Sequence, residues 1–383
     1  MNKYLFTSES VSHGHPDKVC DQISDMILDL YLSQDSNAKV AAEAVAAYNK
    51  VFISGEIGSK VTIPDNVIEQ EIRNLIRKIG YVEGSFGADN VEIEIRLNKQ
   101  SEDINIGVDK AKKENQGAGD QGIMFGFASN NSENYMPASI SYAHRVLKRV
   151  FGDNKLNLGP DAKSQITIEY VNDKPVHLHT VLLSIQHKNE VSLSDIAAEC
   201  KPLITSIFPD KLISDKTRFL FNPTGRFVIG GPEGDVGLTG RKIIVDTYGG
   251  YATHGGGAFS GKDPSKVDRS ATYMARYLAK NIVAAGLAGQ CLIQLSYAIG
   301  MAKPISVFVN FYGTGKIAEH KVVEYIKENI NLTPYGIITT LDLRRPIYQQ
   351  TATYGHFGRN PEEHPDFTWE RLDLVDGFTG LLG

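Results

Sequence analysis

The amino-acid sequence predicts the α+β class, with sheets covered by helices and organised into two or three domains. Helical periods and strand-like runs are mixed in each third of the chain, which is typical of this class. A length of 383 residues with 42% hydrophobic content exceeds what a single domain usually needs. The net charge of −5 argues against a general nucleic-acid or membrane-surface binder, since such proteins need a basic excess. Local basic clusters remain able to bind a small polyanion.

The predicted elements follow one another in mixed order. We predict helices over 17–32, 66–79, 139–150, 194–207, 264–285 and 319–330, where apolar residues recur at helical spacing. We predict strands over 51–57, 91–97, 123–127, 165–171, 176–187, 219–229, 291–299 and 305–312. The uncharged segment 281–302 carries glycines and amide side chains. It therefore predicts a helix end, a turn at 286–289 and a buried strand rather than a membrane span.

Three cysteines, Cys20, Cys200 and Cys291, lie far apart in the sequence. This spacing matches neither a zinc site nor a disulfide framework, so we expect buried core residues in a reducing compartment. The N-terminal residues turn polar at once, without the apolar run of a secretory signal. We therefore expect a cytoplasmic protein with no membrane partner.

The first chemically suggestive stretch is SHGHPDK at 12–18, directly before the first predicted helix. Proline suits the first helical position, and the free N–H groups of a helix start favour anions such as a triphosphate. His15 could hydrogen-bond to a leaving oxygen, Asp17 could hold Mg²⁺ and Lys18 could offset phosphate charge. The alternative is that Asp17 merely stabilises the helix start.

The glycine-rich stretch GAGDQG at 117–122 fits the G-x-G-x-x-G pattern of dinucleotide-binding loops. That pattern binds pyrophosphate only between a strand and a helix. Here a polar stretch precedes it and a strand-like run follows it, so we expect no Rossmann loop. A flexible glycine turn is the simple interpretation, and Asp120 within it leaves a functional role open.

Two further glycine-dense runs carry basic residues. In residues 230–242 the glycines indicate unusual backbone angles or close approach to a ligand, with Arg241 and Lys242 as phosphate ligands. A mobile surface loop is the alternative. In residues 255–268 the sequence nearly matches the P-loop, but Asp263 replaces the Mg²⁺-binding hydroxyl residue, so we do not predict a P-loop enzyme. We expect Asp263-Pro264 to cap and begin the next helix, leaving Lys262, Lys266 and Asp268 for ligands.

Two other clusters have ordinary explanations. His177 and His179 lie on one face of a predicted strand, but without a third ligand a structural role is favoured over a metal site. The lysines beside the GAGDQG stretch are solvated unless that segment forms a lid; they are Lys110, Lys112 and Lys113.

Together these stretches resemble the S-adenosylmethionine synthetases, also called methionine adenosyltransferases. The resemblance covers nearly the whole chain in order, through GHPDK at 14–18, GAGDQG at 117–122, PDAKSQ at 160–165, NPTGRFVIGGPEGDVGLTGRKIIVDTYGG at 222–250 and HGGGAFSGKDPSKVDRS at 254–270. It implies three similar sheet-plus-helix domains in a pseudo-threefold arrangement, over 3–101, 114–230 and 232–371. It also implies a homodimer with active sites at the dimer interface, or a homotetramer built as a dimer of dimers.

The implied reaction joins ATP and L-methionine to S-adenosylmethionine and hydrolyses the expelled triphosphate to diphosphate and phosphate. By resemblance, the catalytic residues are His15, Asp120, Lys163, Arg241 and Lys262. The ATP-site positions are His15, Asp161, Lys163, Arg226, Phe227, Asp235, Arg241, Lys242, Ala258 and Lys262, with the Phe227 ring as a stacking surface for adenine. The methionine-site positions are Glu56, Gln100, Asp235 and Lys266. The resemblance further implies two Mg²⁺ ions per site at Asp17 and Asp268, and one K⁺ at Glu43.

The sequence departs from the family pattern at several positions. His13 stands where a glutamate is usual, and AAEA at 41–44 replaces a common Cys-Glu-Thr setting around Glu43, so the strength of the K⁺ dependence stays open. Glu102 and Ile106 replace a common proline and glutamine, so lid dynamics can differ from those of relatives. Two alternatives stay open: a kinase, which would produce ADP, and a nucleotide sensor that binds ATP without consuming it.

Overall fold

The computed structural model describes residues 2–100, 116–153, 156 and 158–383. Within these residues three β-sheets form, and helices pack against each of them. This arrangement confirms the predicted α+β class with sheet-plus-helix units.

The first sheet is built mainly from the N-terminal third. Its strand order is β4-β3-β2-β9, with β2 (Lys39–Ala47), β3 (Lys50–Gly58), β4 (Glu92–Lys99) and the short β9 (Gly237–Leu238). The helices are α1 (Pro16–Gln34) and α2 (Asp65–Ile79). Strands β2 and β3 form a hairpin, whereas β3 and β4 run parallel and therefore need the crossover through α2.

The second sheet has the order β1-β6-β7-β8, with β1 (Lys3–Val11), β6 (Ala162–Val171), β7 (Lys174–Ile185) and β8 (Arg218–Phe221). Helices α3 (Ala138–Gly152) and α4 (Leu193–Thr205) accompany it. The predicted strand over 219–229 is wrong after Phe221. There the Asn222 side chain takes the last backbone hydrogen bonds of β7 at Ile185, and Gly225 has a left-handed φ of 92°.

The third sheet has the order β11-β10-β5, with β5 (Gly122–Ser129), β10 (Gln290–Tyr297) and β11 (Ser306–Asn310). Helices α6 (Val267–Ala284) and α7 (Glu319–Asn329) pack on it, and the shorter helices are α5 (Ile243–Asp246), α8 (Pro334–Thr340) and α9 (Val375–Thr379). Gly126 allows β5 to approach α6 closely, because a Cβ there would lie 2.0 Å from the carbonyl carbon of Ala275.

Each sheet contains a strand from another third of the chain. β1 pairs with β6, β5 pairs with β10, and β9 pairs with β2. The three sheets are therefore interlocked by the chain, and loops from distant parts of the sequence meet at the edge of β2.

The predicted helices are confirmed within a few residues, with one correction at the start of α6. The helix begins at Val267 rather than at Pro264, because Asp263 uses its carboxylate to accept the Val40 and Ser265 N–H groups in the preceding turn. The segment after α6 turns and enters the buried strand β10, as predicted. Strands β1 and β2 are not among the predicted strands.

Helices α1 and α6 lie at the centre of the molecule and bury charged side chains along with their apolar ones. In α6, Arg276 and Lys280 both pair with the buried Glu370, which fastens the C-terminal segment to the helix. All three cysteines are buried and free, which confirms the core prediction. Among the described residues, no helix is long and apolar enough to cross a membrane.

Candidate active site

Hydrogen bonds and an ion pair hold His15 and Asp17 in place at the start of α1, a region that we call the corner. His15 is the N-cap residue, and its Nδ1 accepts the Asp17 N–H at 3.2 Å, while Pro16 occupies the first turn as predicted. Asp17 Oδ1 accepts the Leu238 N–H at 3.0 Å, and Oδ2 pairs with the Lys242 ammonium. Gly237 makes this close approach possible, since a Cβ there would lie 2.2 Å from the Pro16 carbonyl oxygen.

The electrostatics of this corner keep His15 neutral and Asp17 ionised. Burial, followed by the charges of Lys242 and Lys163, lowers the pKa of His15 to about 3. Because Nδ1 accepts a hydrogen bond, the proton of the neutral ring resides on Nε2, which is left as a donor. Burial alone would raise the pKa of Asp17, but hydrogen bonds from Lys242 and Leu238 outweigh it and lower the pKa.

A group of predicted nucleotide residues lies beside this corner. Asp161 accepts the Gly231 N–H through Oδ2 at 2.8 Å, whereas its Oδ1 is buried without a hydrogen-bond partner. Burial raises the pKa of Asp161 to about 6, with the nearby Lys163 opposing this and Asp235 adding to it. The unpartnered Oδ1 is suited to accept a hydrogen bond from a ligand hydroxyl.

The position of Phe227 depends on His187, which is not among the predicted site residues. The Phe227 N–H donates to Nε2 of His187 at 3.1 Å, and the His187 N–H donates to the Phe227 carbonyl at 2.9 Å. Gln186, the preceding residue, accepts from the Asp161 N–H, although at a long 3.4 Å. The end of β7 thus brings Phe227, with the adjacent exposed Arg226, alongside Asp161.

Arg241 and Lys242 line a cavity of about 510 Å³ between the glycine-dense run and the second sheet. Strands β1 and β6 contribute Glu9 and Gln165 to this cavity. Neither residue is among the predicted site positions, because β1 is not among the predicted strands and its pairing with β6 places Glu9 directly opposite Gln165.

A second group of predicted residues lies at the start of α6. Lys262 pairs with Asp268 at 2.7 Å, and Lys266 pairs with Asp263 at 2.5 Å. These side chains border a cavity of about 230 Å³, and its lining residues are Lys39, Ala41, Gln100, Gly119, Asp120, Lys262, Ser265, Lys266, Val267 and Asp268. Gln100 Oε1 is buried there without a hydrogen-bond partner.

Glu43 and Glu56 lie on the exposed face of the first sheet. Glu56 on β3 is opposite Ala41, which borders the smaller cavity, and Glu43 on β2 is opposite Ser54. The remaining position, Ala258, lies against Gly240, where an added Cβ would be 2.6 Å from the Ala258 methyl group. Most of the predicted residues therefore fall into two groups, which are a phosphate-side group around His15 and a cavity group around Gln100.

Strand β2 connects the two groups through its backbone. Its Ala44 carbonyl accepts the Thr239 N–H at 3.0 Å, and its Ala42 N–H donates to the Gly261 carbonyl at 3.0 Å, so both loops lie along one strand edge. Within residues 2–100, 116–153, 156 and 158–383, no hydrogen bond or ion pair joins a predicted residue of one group to one of the other.

The oxygen ligands present suit hard cations. Asp17 and Asp268 each supply a carboxylate, and Mg²⁺ typically takes one or two carboxylates together with substrate phosphates and water. The described part of the chain contains no cluster of three or more His, Cys, Asp or Glu side chains able to hold a metal alone. The donor set thus fits a Mg²⁺ ion that arrives with phosphates, and the Glu43 carboxylate is an acceptable K⁺ ligand.

Lys18 does not face the site, contrary to the suggestion that it offsets phosphate charge. Its side chain is fully buried and pairs with Asp21 at 2.9 Å and with Asp246. Burial alone would lower the pKa of Lys18, but the charges of Asp21 and Asp246 raise it. The lysine is therefore a structural cation behind the corner that holds His15.

The glycine motifs take the forms expected from the sequence. GAGDQG leads into strand β5, and its Ala118 bridges Ile299, so it is not a Rossmann loop. The N–H groups of Gly261 and Asp263 bind Asp25 and the Val40 carbonyl, so this run is not a P-loop.

The remaining predicted clusters have different outcomes. His177 bonds to Ser214 at 2.9 Å and His179 to Thr180 at 2.8 Å, as structural residues would. The suggested lid lysines and the departures at Glu102 and Ile106 lie outside the described residues.

Comparison with known proteins identifies the family of the chain. Models of the N-terminal, central and C-terminal domains of S-adenosylmethionine synthetase match residues 3–102, 115–227 and 229–371. The S-adenosylmethionine synthase of Parvibaculum lavamentivorans is 52% identical, covering 98% of this chain and 97% of the relative. That of Roseobacter denitrificans is 53% identical, covering 99% of both chains. S-adenosylmethionine synthase 2 of Rhodospirillum rubrum is 51% identical, covering 100% of this chain and 99% of the relative.

Proposed function

The chain belongs to the S-adenosylmethionine synthetase family and is a methionine adenosyltransferase, and we propose from this premise how its residues carry out the reaction. ATP, L-methionine and water give S-adenosylmethionine, phosphate and diphosphate. The observation that carries the proposal is the neutral His15 beside Lys242 at the start of α1, where an anion finds donors and positive charge together.

The first step needs alignment and charge stabilisation rather than a strong base. The methionine sulfur is nucleophilic when neutral, so it attacks C5′ of ATP with its own lone pair. The S–C5′ bond forms as the C5′–O bond breaks, and the electron pair of that bond leaves with the triphosphate oxygen. In this scheme His15 donates Nε2–H to that oxygen, and cationic side chains offset the triphosphate charge; they are Lys163, Arg241, Lys242 and Lys262.

The nucleotide and the amino acid are assigned to different groups. Asp161 accepts from a ribose hydroxyl through its unpartnered Oδ1, and Phe227 provides a stacking surface for adenine beside Arg226 and Ala258. The buried, unpartnered Gln100 Oε1 suits the methionine ammonium, and Lys266 suits its carboxylate.

Carboxylates near the reacting sulfur complete the proposed methionine site. Asp120 borders the same cavity as Gln100, so its negative charge can stabilise the sulfonium as it forms. Asp235 and Glu56 complete the set of methionine positions carried over from the family resemblance.

Two Mg²⁺ ions and one K⁺ are proposed as cofactors. When bound, Mg²⁺ would neutralise part of the triphosphate charge. Asp17 and Asp268 would hold the Mg²⁺ ions, and each lies beside a lysine that also suits phosphate, Lys242 and Lys262. Glu43 would hold K⁺.

A homodimer with active sites at its interface, paired into a tetramer, is the proposed assembly. The separation of the phosphate-side group from the cavity group within one chain supports this arrangement, because a partner can supply the complementary group. Exposed apolar side chains on the strands and on the connection between β10 and β11 give a partner a surface to cover; they include Leu5, Ile123, Ile299, Ile305 and Phe308. The buried, reduced cysteines support a cytoplasmic location.

The decisive test is product analysis. Purified protein is incubated with ATP, L-methionine, Mg²⁺ and K⁺, and S-adenosylmethionine, diphosphate, phosphate and ADP are quantified by chromatography against a sample without methionine. We expect methionine-dependent sulfonium product with equal diphosphate and phosphate. ADP formation would indicate a kinase instead, and folded protein that consumes no ATP would indicate a nucleotide sensor.

A further inference from the structure

Helix α1 carries aspartates at four-residue spacing, Asp17, Asp21, Asp25 and Asp29, which we term the aspartate row. This spacing places the four carboxylates along one side of the helix. Each of them accepts a backbone N–H from a segment far away in sequence. The row therefore fastens loops from distant parts of the chain to helix α1.

The first half of the row holds the loop that presents Arg241 and Lys242. Asp17 accepts the Leu238 N–H at 3.0 Å, and Asp21 Oδ1 accepts the Gly240 N–H at 2.8 Å. Ser24, on the same helix, bonds to the Thr239 hydroxyl at 2.7 Å. Three consecutive loop residues are thus fixed to α1 immediately before the predicted phosphate ligands.

The next aspartate holds the loop that presents Lys262. Asp25 Oδ1 accepts the Gly261 N–H at 2.8 Å. The Asp25 carboxylate also forms a bidentate ion pair with Arg269, through Oδ1 at 2.7 Å and Oδ2 at 2.9 Å. The same guanidinium donates to the carbonyls of Phe259 and Lys262 at 2.9 and 3.1 Å. Asp25 and Arg269 therefore bind both N–H and carbonyl groups of the turn around Lys262.

Two buried cations form ion pairs with aspartates of the row, and each cation follows a proposed metal ligand in the sequence. Lys18 follows Asp17 and pairs with Asp21, and Arg269 follows Asp268 and pairs with Asp25. Asp21, Asp25, Lys18 and Arg269 are all fully buried. Buried ion pairs contribute little net stability compared with apolar packing but fix geometry, which fits a positioning role.

We propose that Asp21 and Asp25 are positioning residues, each of which fixes one of the two phosphate-binding loops to helix α1. The inference rests on the proposed function, in which Arg241, Lys242 and Lys262 bind the triphosphate. The last member of the row supplies a matched control, since Asp29 accepts the N–H groups of Tyr348 and Gln349, which carry no proposed ligand.

The first measurement is hydrogen exchange of the full-length protein, because it reports loop anchoring without any ligand. Asp21→Ala removes the acceptor of the Gly240 N–H, so the amides of 238–242 should exchange about tenfold faster. Asp21→Asn keeps an acceptor oxygen, so the exchange rates of the 238–242 amides in this variant should lie within about threefold of the wild-type rates. Asp29→Asn should leave the 238–242 amides unchanged.

The second measurement is the Kd for inorganic tripolyphosphate with Mg²⁺, by calorimetry at a temperature where each variant is folded. Asp21→Ala should weaken binding about tenfold and Asp21→Asn about threefold or less, whereas Asp29→Asn should bind as the wild type does. If Asp21→Ala does not fold, Ser24→Ala replaces it, with faster exchange of 239–242 as the expected result.

The outcomes separate this inference from the proposed function. Wild-type exchange of 238–242 in both Asp21→Ala and Ser24→Ala, or in whichever of them folds, overturns the positioning role. Faster exchange with unchanged tripolyphosphate affinity also overturns it, since the loop would then be anchored without effect on phosphate binding. A wild-type protein that binds no tripolyphosphate counts against the proposed function, while the exchange data still decide whether Asp21 anchors the loop.

Discussion

Gly237→Ala should cripple catalysis by displacing the start of α1. A Cβ at position 237 would lie 2.2 Å from the Pro16 carbonyl oxygen, 2.3 Å from its carbon and 2.9 Å from the Asp17 nitrogen. Ordinary contact requires about 3.5 Å, so α1 and β9 must separate by about 1 Å. A displacement of that size at positioning residues lowers a rate about 100-fold, and overpacking costs about 1–3 kcal/mol of stability.

The assay is the initial rate of S-adenosylmethionine formation, measured about 10 °C below the unfolding midpoint of each variant. Gly152→Ala is the matched control, because nothing lies within 4 Å of its added Cβ and the residue ends helix α3. The control should keep the wild-type rate. If folded Gly237→Ala forms product within threefold of the wild-type rate, close contact between β9 and Pro16 is not what orients His15 and Asp17.

Four further substitutions test other parts of the molecule. His15→Asn should lower kcat about 100-fold. Because the pKa of His15 is about 3, the acid limb of the wild-type pH–rate profile should not come from titration of His15. An acid limb that is present in the wild type and absent from the variant would contradict this. Asp120→Asn should slow the chemical step and leave the Kd for ATP within about threefold, so an unchanged single-turnover rate removes Asp120 from the mechanism. Burial raises the pKa of Asp29 to about 7 from an ordinary value of 3.8, so the folded state holds this proton more tightly and the wild type loses stability as pH rises through that window. Asp29→Asn has no such titration. The difference in free energy of unfolding between Asp29→Asn and the wild type, measured with urea, should therefore shift in favour of the variant by about 2 kcal/mol from pH 5 to pH 7. A difference that does not change with pH would refute the raised pKa of Asp29. Gly126→Ala should destabilise the protein by about 3 kcal/mol in the same assay, since its Cβ would collide with the α6 backbone, and a loss below 0.5 kcal/mol would refute that close packing.

Periodicity predicted the helices well because each presents a regular apolar face. It missed β1 and β2 for different reasons. β1 mixes polar residues into both faces, and β2 is rich in alanine, which has low strand propensity. Their strand conformation comes from pairing with β6 and β3, which is tertiary information absent from a local window.

The predicted site residues came from motif strings, and the structure assigns them neighbours that no string contains. Lys18 is predicted to offset phosphate charge because it lies at a helix start that favours anions, yet its side chain pairs with Asp21 and Asp246 in the core. His187 and Glu9 are not among the predicted site residues. The role of His187 depends on where β7 ends, and that of Glu9 depends on the pairing of β1 with β6. Sequence spacing locates a chemical group along the chain, whereas its orientation depends on packing.

The shared edge of β2 has a consequence for synthesis on the ribosome. Its edge partners at 237–239 and 261–263 emerge roughly 200 residues after the strand itself, a delay of about 10–40 s at 5–20 residues per second. During that interval β2 presents unpaired backbone groups, which makes the nascent chain a substrate for strand addition by other chains. Cellular yield of this enzyme should therefore depend on translation speed and chaperone supply more than its final stability would suggest.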